Sequence, residues 1–275
     1  MGYVSTAGLL RVGDGRVKKN YNELGKQRMR IALISDIHGN FTALSAVLAD
    51  IEKASVDQIV FLGDSIALGP QPKQVIERLR ELSCLCVMGN HESYELNLAQ
   101  FLKGNHAEWA KETIAWGVSQ LAQTDIDFLQ TFKATVQIPL DSADPQRQLL
   151  CFHGSPKSFN DLVLATTPAA ELDNLLTGHS ALIMACGHTH VQMMRRHRSI
   201  LLVNPGSVGS PMEEMPFTGE PRLLPWAEYG IIEVQAKQVK IELCRVPYNL
   251  ALAKEIALTS GLPYANDWVR RWQNG

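Results

Sequence analysis

The chain has 275 residues, of which 45% are hydrophobic, and its formal net charge is −2 with a pI near 6.4. This length allows a sizeable buried core and, at about 150 residues per domain, predicts one or two domains. The charge balance excludes a protein that bulk charge holds to nucleic acid or to an anionic membrane. No apolar run approaches the ~20 residues of a membrane span, and the N-terminus lacks the pattern of a secretory signal, so we expect a cytoplasmic protein.

The first 29 residues differ from the rest in composition. They contain six basic residues against two acidic ones and show no regular apolar period. This composition predicts a mobile basic extension. Nothing later in the sequence marks a boundary, so we expect residues 30–275 to form a single domain.

The next part of the chain alternates apolar runs with helical patterns. Strand-like runs lie at 31–35, 58–63 and 84–89, and helical patterns lie between them at about 41–54 and 72–82. This repeat predicts strand–helix–strand units with a parallel sheet. Residues 92–131 are helical throughout in pattern. Their expected core residues are Trp109, Trp116, Leu121, Phe128 and Leu129.

The second half of the chain is richer in strands. Strand-like runs lie at 134–140, 148–154, 181–188, 199–206, 229–235 and 239–246, and a short helix is expected at 168–176. Parallel units followed by antiparallel strands predict one α/β domain, in which two packed mixed sheets are flanked by helices in four α-β-β-α layers. Residues 207–228, which contain four prolines, are expected to form a long loop beside the site.

Five short motifs contain five of the eight histidines. They are DIHGN (36–40), GD (63–64), GNHE (89–92), HG (153–154) and GHTH (187–190). Each follows a strand-like run, and ligands of α/β sheets gather at the carboxyl ends of strands, so the motifs can converge. Their Asp, Asn and His donors suit divalent first-row metals. Because no cysteine lies in the motifs, we predict a site for two metal ions without thiolate ligands.

In order and residue type, the five motifs resemble the calcineurin-like metallophosphoesterase superfamily over about residues 30–250. The stretches NPGSVGSP (204–211) and RVPYN (245–249) resemble its compact bacterial and archaeal single-domain branch. The stretch GDSIALGP (63–70) departs from that branch, because Ala67 and Leu68 stand where Gly and Tyr are common. The departure bears on substrate preference and not on metal binding.

The resemblance implies a role for each site residue. One metal ion would be bound by Asp36, His38, Asp64 and His190, and the other by Asp64, Asn90, His153 and His188. His91 would stay off the metals and act as general acid toward the leaving alkoxide, a task that suits an ordinary His pKa near ~6.5. The donors suit Mn, Fe, Zn or Co, of which we favour Mn. No chemistry is assigned to Glu92.

Spacing adds a local argument for two pairs of these residues. Asp36 and His38 are two residues apart, as are His188 and His190. An extended backbone at the end of a strand would point both members of the Asp36–His38 pair to the same side. The other three histidines, His106, His179 and His197, are interpreted as core or hydrogen-bonding groups.

Two further groups keep two interpretations each. Arg195, Arg196 and Arg198 either bind a distant phosphate of the substrate or form a solvated turn. Asn204 and Ser207 either touch a metal-bound phosphate or satisfy the backbone of a turn.

The implied reaction is hydrolysis of a phosphate ester, in which hydroxide bridging two metal ions attacks phosphorus without a covalent phosphoenzyme. The substrate is a small phosphate ester, a nucleotide or a phosphoprotein. A phosphomonoesterase or phosphoprotein phosphatase competes with a phosphodiesterase that cleaves dinucleoside polyphosphates. His91 argues against a non-catalytic scaffold of this fold, and the mildly acidic composition argues against a nuclease. The sequence leaves the oligomeric state open.

Overall fold

The computed structural model describes residues 28–141, 144–215 and 221–272. The predicted basic extension lies outside the described residues up to residue 27. Its last two residues, Arg28 and Met29, belong to the first strand.

The described residues form two sheets and a set of helices. The strands are β1 (Arg28–Ile34), β2 (Gln58–Phe61), β3 (Leu85–Cys86), β4 (Val136–Pro139), β5 (Gln148–Cys151), β6 (Ile183–Ala185), β7 (Met193–His197), β8 (Ile200–Asn204), β9 (Ala227–Gln235) and β10 (Gln238–Val246). The helices are α1 (Phe41–Ala54), α2 (Pro72–Leu82), α3 (Asn90–Leu96), α4 (Leu98–Lys103), α5 (Glu108–Ser119), α6 (Gln123–Leu129), α7 (Ala169–Leu176), α8 (Leu250–Thr259) and α9 (Ala265–Arg270).

The first sheet has the strand order β10-β9-β1-β2-β3. Strands β1, β2 and β3 are parallel, and β9 and β10 add to β1 in antiparallel fashion. Helices α1 and α2 make the crossovers between the parallel strands. The side chain of Asn40 caps α1 by accepting a hydrogen bond from Ala43 N, and Leu44, Val47, Leu48 and Ile51 form the buried stripe of this helix.

The second sheet has the order β4-β5-β6-β8-β7. Strands β5, β6 and β8 are parallel, whereas β4 and β7 pair in antiparallel fashion at the two edges. Both sheets are therefore mixed, as the sequence predicts.

The core separates into layers because side chains alternate along each strand. Ile31 and Leu33 of β1 face a cluster that includes Leu149 and Ile183 of the second sheet. The next residues along the strand, such as Ile34, face α1 and α2 instead. Helix α7 packs on the outer face of the second sheet. The arrangement is the predicted four-layer sandwich.

Three regions differ from the sequence prediction. The stretch 92–131 is not one run of helix but the four short helices α3 to α6, and Gly104, with extended ψ, ends α4. Leu129 is fully buried as predicted, whereas Trp109 is 40% exposed. Strand β7 and helices α8 and α9 were not predicted. These C-terminal helices pack with Met212 and Leu223 and so anchor part of the 207–228 loop.

Among the described residues, no helix has the length and apolar character needed to cross a membrane.

Candidate metal centre

The five motifs follow the carboxyl ends of strands, four of them in loops and the third at the start of α3. Asp36 follows β1, Asp64 follows β2 and Asn90 follows β3, all in the first sheet. His153 follows β5 and His188 follows β6 in the second sheet. The two sheets thus bring their loops to one shared edge, where the side chains meet.

The backbone of these loops is left-handed and not extended. The non-glycine residues Asp36, His38, Asp64, His188 and His190 have φ values of 52°, 46°, 65°, 67° and 59°. Left-handed backbone costs an L-residue roughly 1 kcal/mol or more, and such residues concentrate at functional sites. The prediction that an extended backbone aligns Asp36 with His38 is therefore wrong, since a turn brings them together.

Backbone hydrogen bonds hold the first two loops side by side beyond the ends of their strands. Asp36 N donates to Gly63 O at 2.9 Å, and His38 N donates to Asp64 O at 3.1 Å. Glycine is needed where a third loop approaches, because a Cβ at Gly187 would lie 2.1 Å from Ser35 Oγ.

One group of donors contains Asp36, His38 and His190. Asp36 Oδ1 lies 3.3 Å from His190 Nε2, and the Nε2 atoms of His38 and His190 are 2.9 Å apart. Asp64 approaches the same group, since its Oδ2 lies 3.8 Å from His38 Nε2. All four side chains are buried.

A second group surrounds the same oxygen of Asp64. Asp64 Oδ2 lies 3.2 Å from His153 Nε2, and His153 Nε2 lies 3.0 Å from Asn90 Oδ1. One ligand atom each of Asp64, His153 and His188 lies within 4.8 Å of the other two. Asp64 is thus common to both groups, and its Oδ2 lies between them.

The two carboxylates each have one anchored oxygen. Asp36 Oδ2 accepts hydrogen bonds from Ser35 Oγ at 2.5 Å and from His188 N at 3.1 Å. Asp64 Oδ1 accepts one from His91 N at 3.0 Å. The other oxygen of each faces the histidines, and among the described residues Asp36 Oδ1 has no well-aligned hydrogen-bond donor although it is buried.

Three histidines are oriented by backbone carbonyls. The Nδ1 atoms of His38, His153 and His190 lie 3.1, 2.7 and 2.8 Å from carbonyl oxygens of Ala67, Leu62 and Ser210. A carbonyl only accepts, so each Nδ1 carries the proton and each Nε2 points into the site. Metal-binding histidines are commonly oriented by such a hydrogen bond from the ring nitrogen that faces away from the metal.

The charges of the cluster favour a bound cation. Burial would raise the pKa of Asp64, but His153 and His91 outweigh it and hold that pKa well below its ordinary value. Burial and the neighbouring His190 lower the pKa of His38 to about 3, so its Nε2 is a bare lone pair. Burial lowers the pKa of His153, but the two carboxylates reverse this and raise it to about 10. The field that draws a proton onto His153 would equally attract a metal ion.

These observations fit divalent metal ions. Imidazole nitrogens, an amide oxygen and carboxylate oxygens converge here, and, although burial opposes it, the carboxylates raise the pKa of His153 and of His190. A cation held by these residues would take the place of those protons and would satisfy the buried Asp36 Oδ1.

His91 lies beside the cluster but is oriented differently. Its Nε2 is 3.9 Å from Asp64 Oδ2, and its side chain is 15% exposed. Its Nδ1 is buried and has no hydrogen-bond partner among the described residues, so no carbonyl fixes its tautomer. His91 also lies close enough to His38 and Asp64 to complete a three-ligand group.

Glu92, to which the sequence analysis assigns no chemistry, connects two of the loops. Its carboxylate is fully buried and accepts from Asp64 N and Gly89 N, each at 2.8 Å. It also accepts from Ser65 N at 2.6 Å and from Ser65 Oγ at 2.7 Å. Glu92 therefore positions Asp64. The sequence signal is its place as third residue of a helix that begins directly after a strand.

Four residues for which the sequence leaves two interpretations make structural contacts: Asn204, Ser207, Arg195 and Arg198. Asn204 Nδ2 donates to Gly187 O and Thr189 Oγ1, and Ser207 Oγ donates to Asp36 O, so both brace the site loops. Arg195 donates to three backbone carbonyls between residues 164 and 167, and Arg198 pairs with Asp173.

The remaining histidines stand apart from the cluster. His197 bonds Asp173, and His106 stacks on Phe101. The start of the 207–228 loop does border the site, since Ser210 orients His190.

Comparison with known proteins agrees with this geometry. A family model described as the calcineurin-like phosphoesterase superfamily domain matches residues 29–219. An uncharacterised protein of Methanocaldococcus jannaschii is 28% identical over 87% of this chain and 95% of its own length. A symmetrical bis(5'-nucleosyl)-tetraphosphatase of Hamiltonella defensa is 31% identical, but the match covers 54% of this chain and only 52% of that enzyme.

Solved structures show the same architecture. A metallophosphoesterase from Sphaerobacter thermophilus has 25% identity and a TM-score of 0.65, covering 88% of this chain and 98% of the other. A hypothetical protein from Pyrococcus horikoshii has 18% identity and a TM-score of 0.72, covering 88% and 96%, and shows the fold alone. The family and the buried His and Asp cluster together indicate divalent metal binding. The chain belongs to the calcineurin-like phosphoesterase superfamily and is a phosphoester hydrolase.

Proposed function

We propose that this enzyme is a phosphodiesterase with a dinuclear metal centre and that its substrates include dinucleoside polyphosphates. The observation that carries the dinuclear centre is the position of Asp64 Oδ2 between two groups of buried donors, 3.8 Å from His38 Nε2 and 3.2 Å from His153 Nε2. The preference for diesters is supported by the match to symmetrical bis(5'-nucleosyl)-tetraphosphatases over about half of the chain.

The proposed ligand sets share one carboxylate. Asp36, His38, Asp64 and His190 would bind one ion, and Asp64, Asn90, His153 and His188 the other. Two divalent ions, for which we propose Mn, would polarise the phosphoryl oxygens and lower the pKa of a water molecule.

His91 is the proposed general acid. Among the described imidazoles of the site, His91 and His188 are partly exposed, whereas the other three are buried. The Nδ1 of His91 is not hydrogen-bonded to a carbonyl. Burial lowers the pKa of His91 in the free protein although Asp64 opposes this. The negative charge of a bound phosphate would raise that pKa, so that the imidazole is protonated when the leaving oxygen needs a proton.

The preference for diesters is tested by parallel kinetics. Protein loaded with Mn is assayed on p-nitrophenyl phosphate, on bis(p-nitrophenyl) phosphate and on diadenosine tetraphosphate. We expect kcat/KM to be at least about tenfold higher for the diester bis(p-nitrophenyl) phosphate and for the phosphoanhydride of diadenosine tetraphosphate than for the monoester, which corresponds to ~1.4 kcal/mol in transition-state stabilisation. A higher kcat/KM for the monoester would show that the enzyme is a phosphomonoesterase instead. The cytoplasmic location stays a prediction that this assay does not test.

A further inference from the structure

A cavity next to the metal centre has no part in the mechanism described above. Its volume is about 310 Å³, and it lies between α3, α4 and the start of the loop that follows α4. Its lining residues are Ser93, Tyr94, Asn97, Gln100, Phe101, Gly104 and His106. A volume of this size is at the lower end of the range for small-molecule sites, which suits one ring system rather than a peptide segment.

Three aromatic rings form one wall of this cavity. Phe101 is buried and stacks on Tyr94 with ring centroids 4.8 Å apart and on His106 with centroids 4.2 Å apart. Tyr94 is half-buried and His106 is exposed. Tyr94 and His106 also contact each other, with ring centroids 5.8 Å apart and planes tilted by 45°, so the exposed ring of His106 is the one that offers a face to a planar ligand.

The aromatic wall is continuous with the catalytic site. The rings of His91 and Tyr94 lie 5.7 Å apart in an edge-to-face arrangement, and the ring of His91 in turn lies 5.1 Å from that of His38. Tyr94 is held in place by its hydroxyl, which donates to Asn160 Oδ1 at 2.6 Å. Tyr94 therefore lines the cavity and contacts the proposed general acid at the same time.

The polar groups of the cavity suit an uncharged partner. Among the described residues that line it, none is Asp, Glu, Lys or Arg, so a second phosphate or a charged peptide side chain would find no counter-ion. Asn97 and Gln100 are exposed amides, and each offers both hydrogen-bond donors and an acceptor. Stacking rings combined with amides are the means by which proteins bind nucleobases.

We propose that this cavity is a nucleobase subsite, which binds the base of the nucleoside that is esterified to the phosphate. This inference rests on the proposed function, because it names the substrate class as nucleotide esters. His106 provides the stacking surface, Tyr94 packs at the side of the base, and Asn97 and Gln100 contact its edge.

The test compares two ligands that differ only in the base. Adenosine 5'-monophosphate and ribose 5-phosphate are titrated calorimetrically into protein loaded with Mn, and inorganic phosphate serves as the probe of the metal centre alone. We expect adenosine 5'-monophosphate to bind about tenfold more tightly than ribose 5-phosphate, since stacking on an aromatic ring contributes on this scale. His106→Ala should remove most of that advantage without changing the affinity for ribose 5-phosphate, and His106→Phe should retain it.

The control is His179→Ala, because His179 precedes β6 at the end of the second sheet opposite to the metal centre. It should leave all three affinities unchanged. Equal affinity for the two sugar phosphates in the unmodified protein would overturn the subsite. So would a His106→Ala variant that weakens both sugar phosphates alike. Failure of the proposed function would appear separately, as a lack of turnover of bis(p-nitrophenyl) phosphate, and the ligand comparison stands whether or not turnover is seen.

Discussion

Asp36 and Asp64 each anchor one carboxylate oxygen on a backbone amide and turn the other toward the histidines. The histidines show the same division, since a carbonyl binds Nδ1 of His38, His153 and His190 and leaves Nε2 facing inward. At the scale of single residues, hydrogen bonds to the backbone thus fix which atoms of the site face inward. Such preorganisation of ligands by their hydrogen-bond partners raises metal affinity.

His91→Ala separates the proposed acid from the proposed ligands. Because His91 gives a proton and binds no metal in this account, the variant should retain its metal content while kcat falls by roughly 10²- to 10⁴-fold. Metal content by mass spectrometry and kcat on a dinucleoside monophosphate are the measurements, because the alkoxide that leaves from this diester needs a proton whereas p-nitrophenolate does not. Full activity would refute the role as acid, and loss of one metal ion would show that His91 is a ligand, as its distance to His38 and Asp64 also permits.

Glu92→Gln tests the residue that positions Asp64. Four donors point at its two oxygens, so an amide nitrogen in place of one oxygen would face donors without an acceptor. We expect the free energy of unfolding to fall by about 2 kcal/mol, together with weaker metal binding. Glu95→Gln on the same helix is the control, because burial and Glu92 raise the pKa of Glu95 well above its ordinary value and the amide then replaces a neutral acid. Equal losses in the two variants would contradict the positioning role.

The sequence identifies most of this site but not its supports. The order of the motifs and their resemblance to the family are what select Asp36, His153 and the other proposed ligands, because a single Asp or His after a strand more often has a structural role. Glu92 was missed because a buried carboxylate that bonds backbone amides has the same sequence pattern as an ordinary helix start. Glu92 has these partners because the fold brings the backbone amides of Asp64 and Gly89 close together.

At the scale of elements, strand ends and left-handed turns do the positioning. Strands β1, β2 and β3 deliver their loops in parallel, and the turns at Asp36 and His38 then direct both side chains inward. Strand positions are predictable from apolar runs. The left-handed turns are not, because Asp and His adopt them only where neighbouring loops supply hydrogen bonds that offset the strain.

Strand β7 and the division of residues 92–131 into separate helices also depend on contacts between distant parts of the chain. Strand β7 was read as a basic cluster because Arg195, Arg196 and His197 obscure its apolar pattern, although pairing with β8 is enough to form an edge strand. Residues 92–131 contain few strong helix breakers besides Gly104, which ends α4. Helices α3, α4 and α5 pack around Phe101 and Ile114, whereas α6 packs through Leu129 against the core of the first sheet, so tertiary packing favours separate short helices.

Glu228 of β9 makes folding depend on pH. Its carboxyl is buried beneath Gly206, and burial raises its pKa to about 7 although Trp226 and Arg245 oppose the shift. The folded protein keeps a proton that the unfolded chain releases near its ordinary pKa of 4.5, so stability is lost as pH rises from about 4.5 to about 7. Glu228→Gln should remove this loss, which we expect to be on the order of 2 kcal/mol.

The measurement for Glu228 is urea unfolding of both proteins in chelator between pH 4.5 and 7.5, the range set by its ordinary and raised pKa values. The free energy of unfolding of Glu228→Gln is subtracted from that of the unmodified protein at each pH, so that the titration of the histidines that both proteins share cancels. A difference that does not change with pH would refute the assignment.

At the scale of the whole molecule, the site exists only where the two sheets meet. Asp36, Asp64 and Asn90 come from loops of the first sheet, and His153 and His188 from loops of the second. The two sheets pack through a common apolar layer, so assembly of the donors requires the whole sandwich. Ligands that bind only this assembled state stabilise it, and metal binding and folding are therefore coupled.

The layered architecture was predictable as a whole because parallel units in the first half and strand-rich sequence in the second leave few ways to bury both sheet faces. The C-terminal helices α8 and α9 were not predicted. They are defined by packing of Trp268 and Trp272 against the 207–228 loop, a contact between distant parts of the chain.

The number of metal ions bound per chain tests the central claim most directly. Protein stripped with chelator is titrated with Mn by calorimetry, alongside Asp64→Asn and, as a control, Asp127→Asn on the exposed side of α6. We expect two Mn ions per chain in the unmodified protein and in the control, and none in Asp64→Asn, because Asp64 is shared by both groups of donors. A single ion in the unmodified protein, or two ions retained by Asp64→Asn, would contradict a dinuclear centre bridged by Asp64.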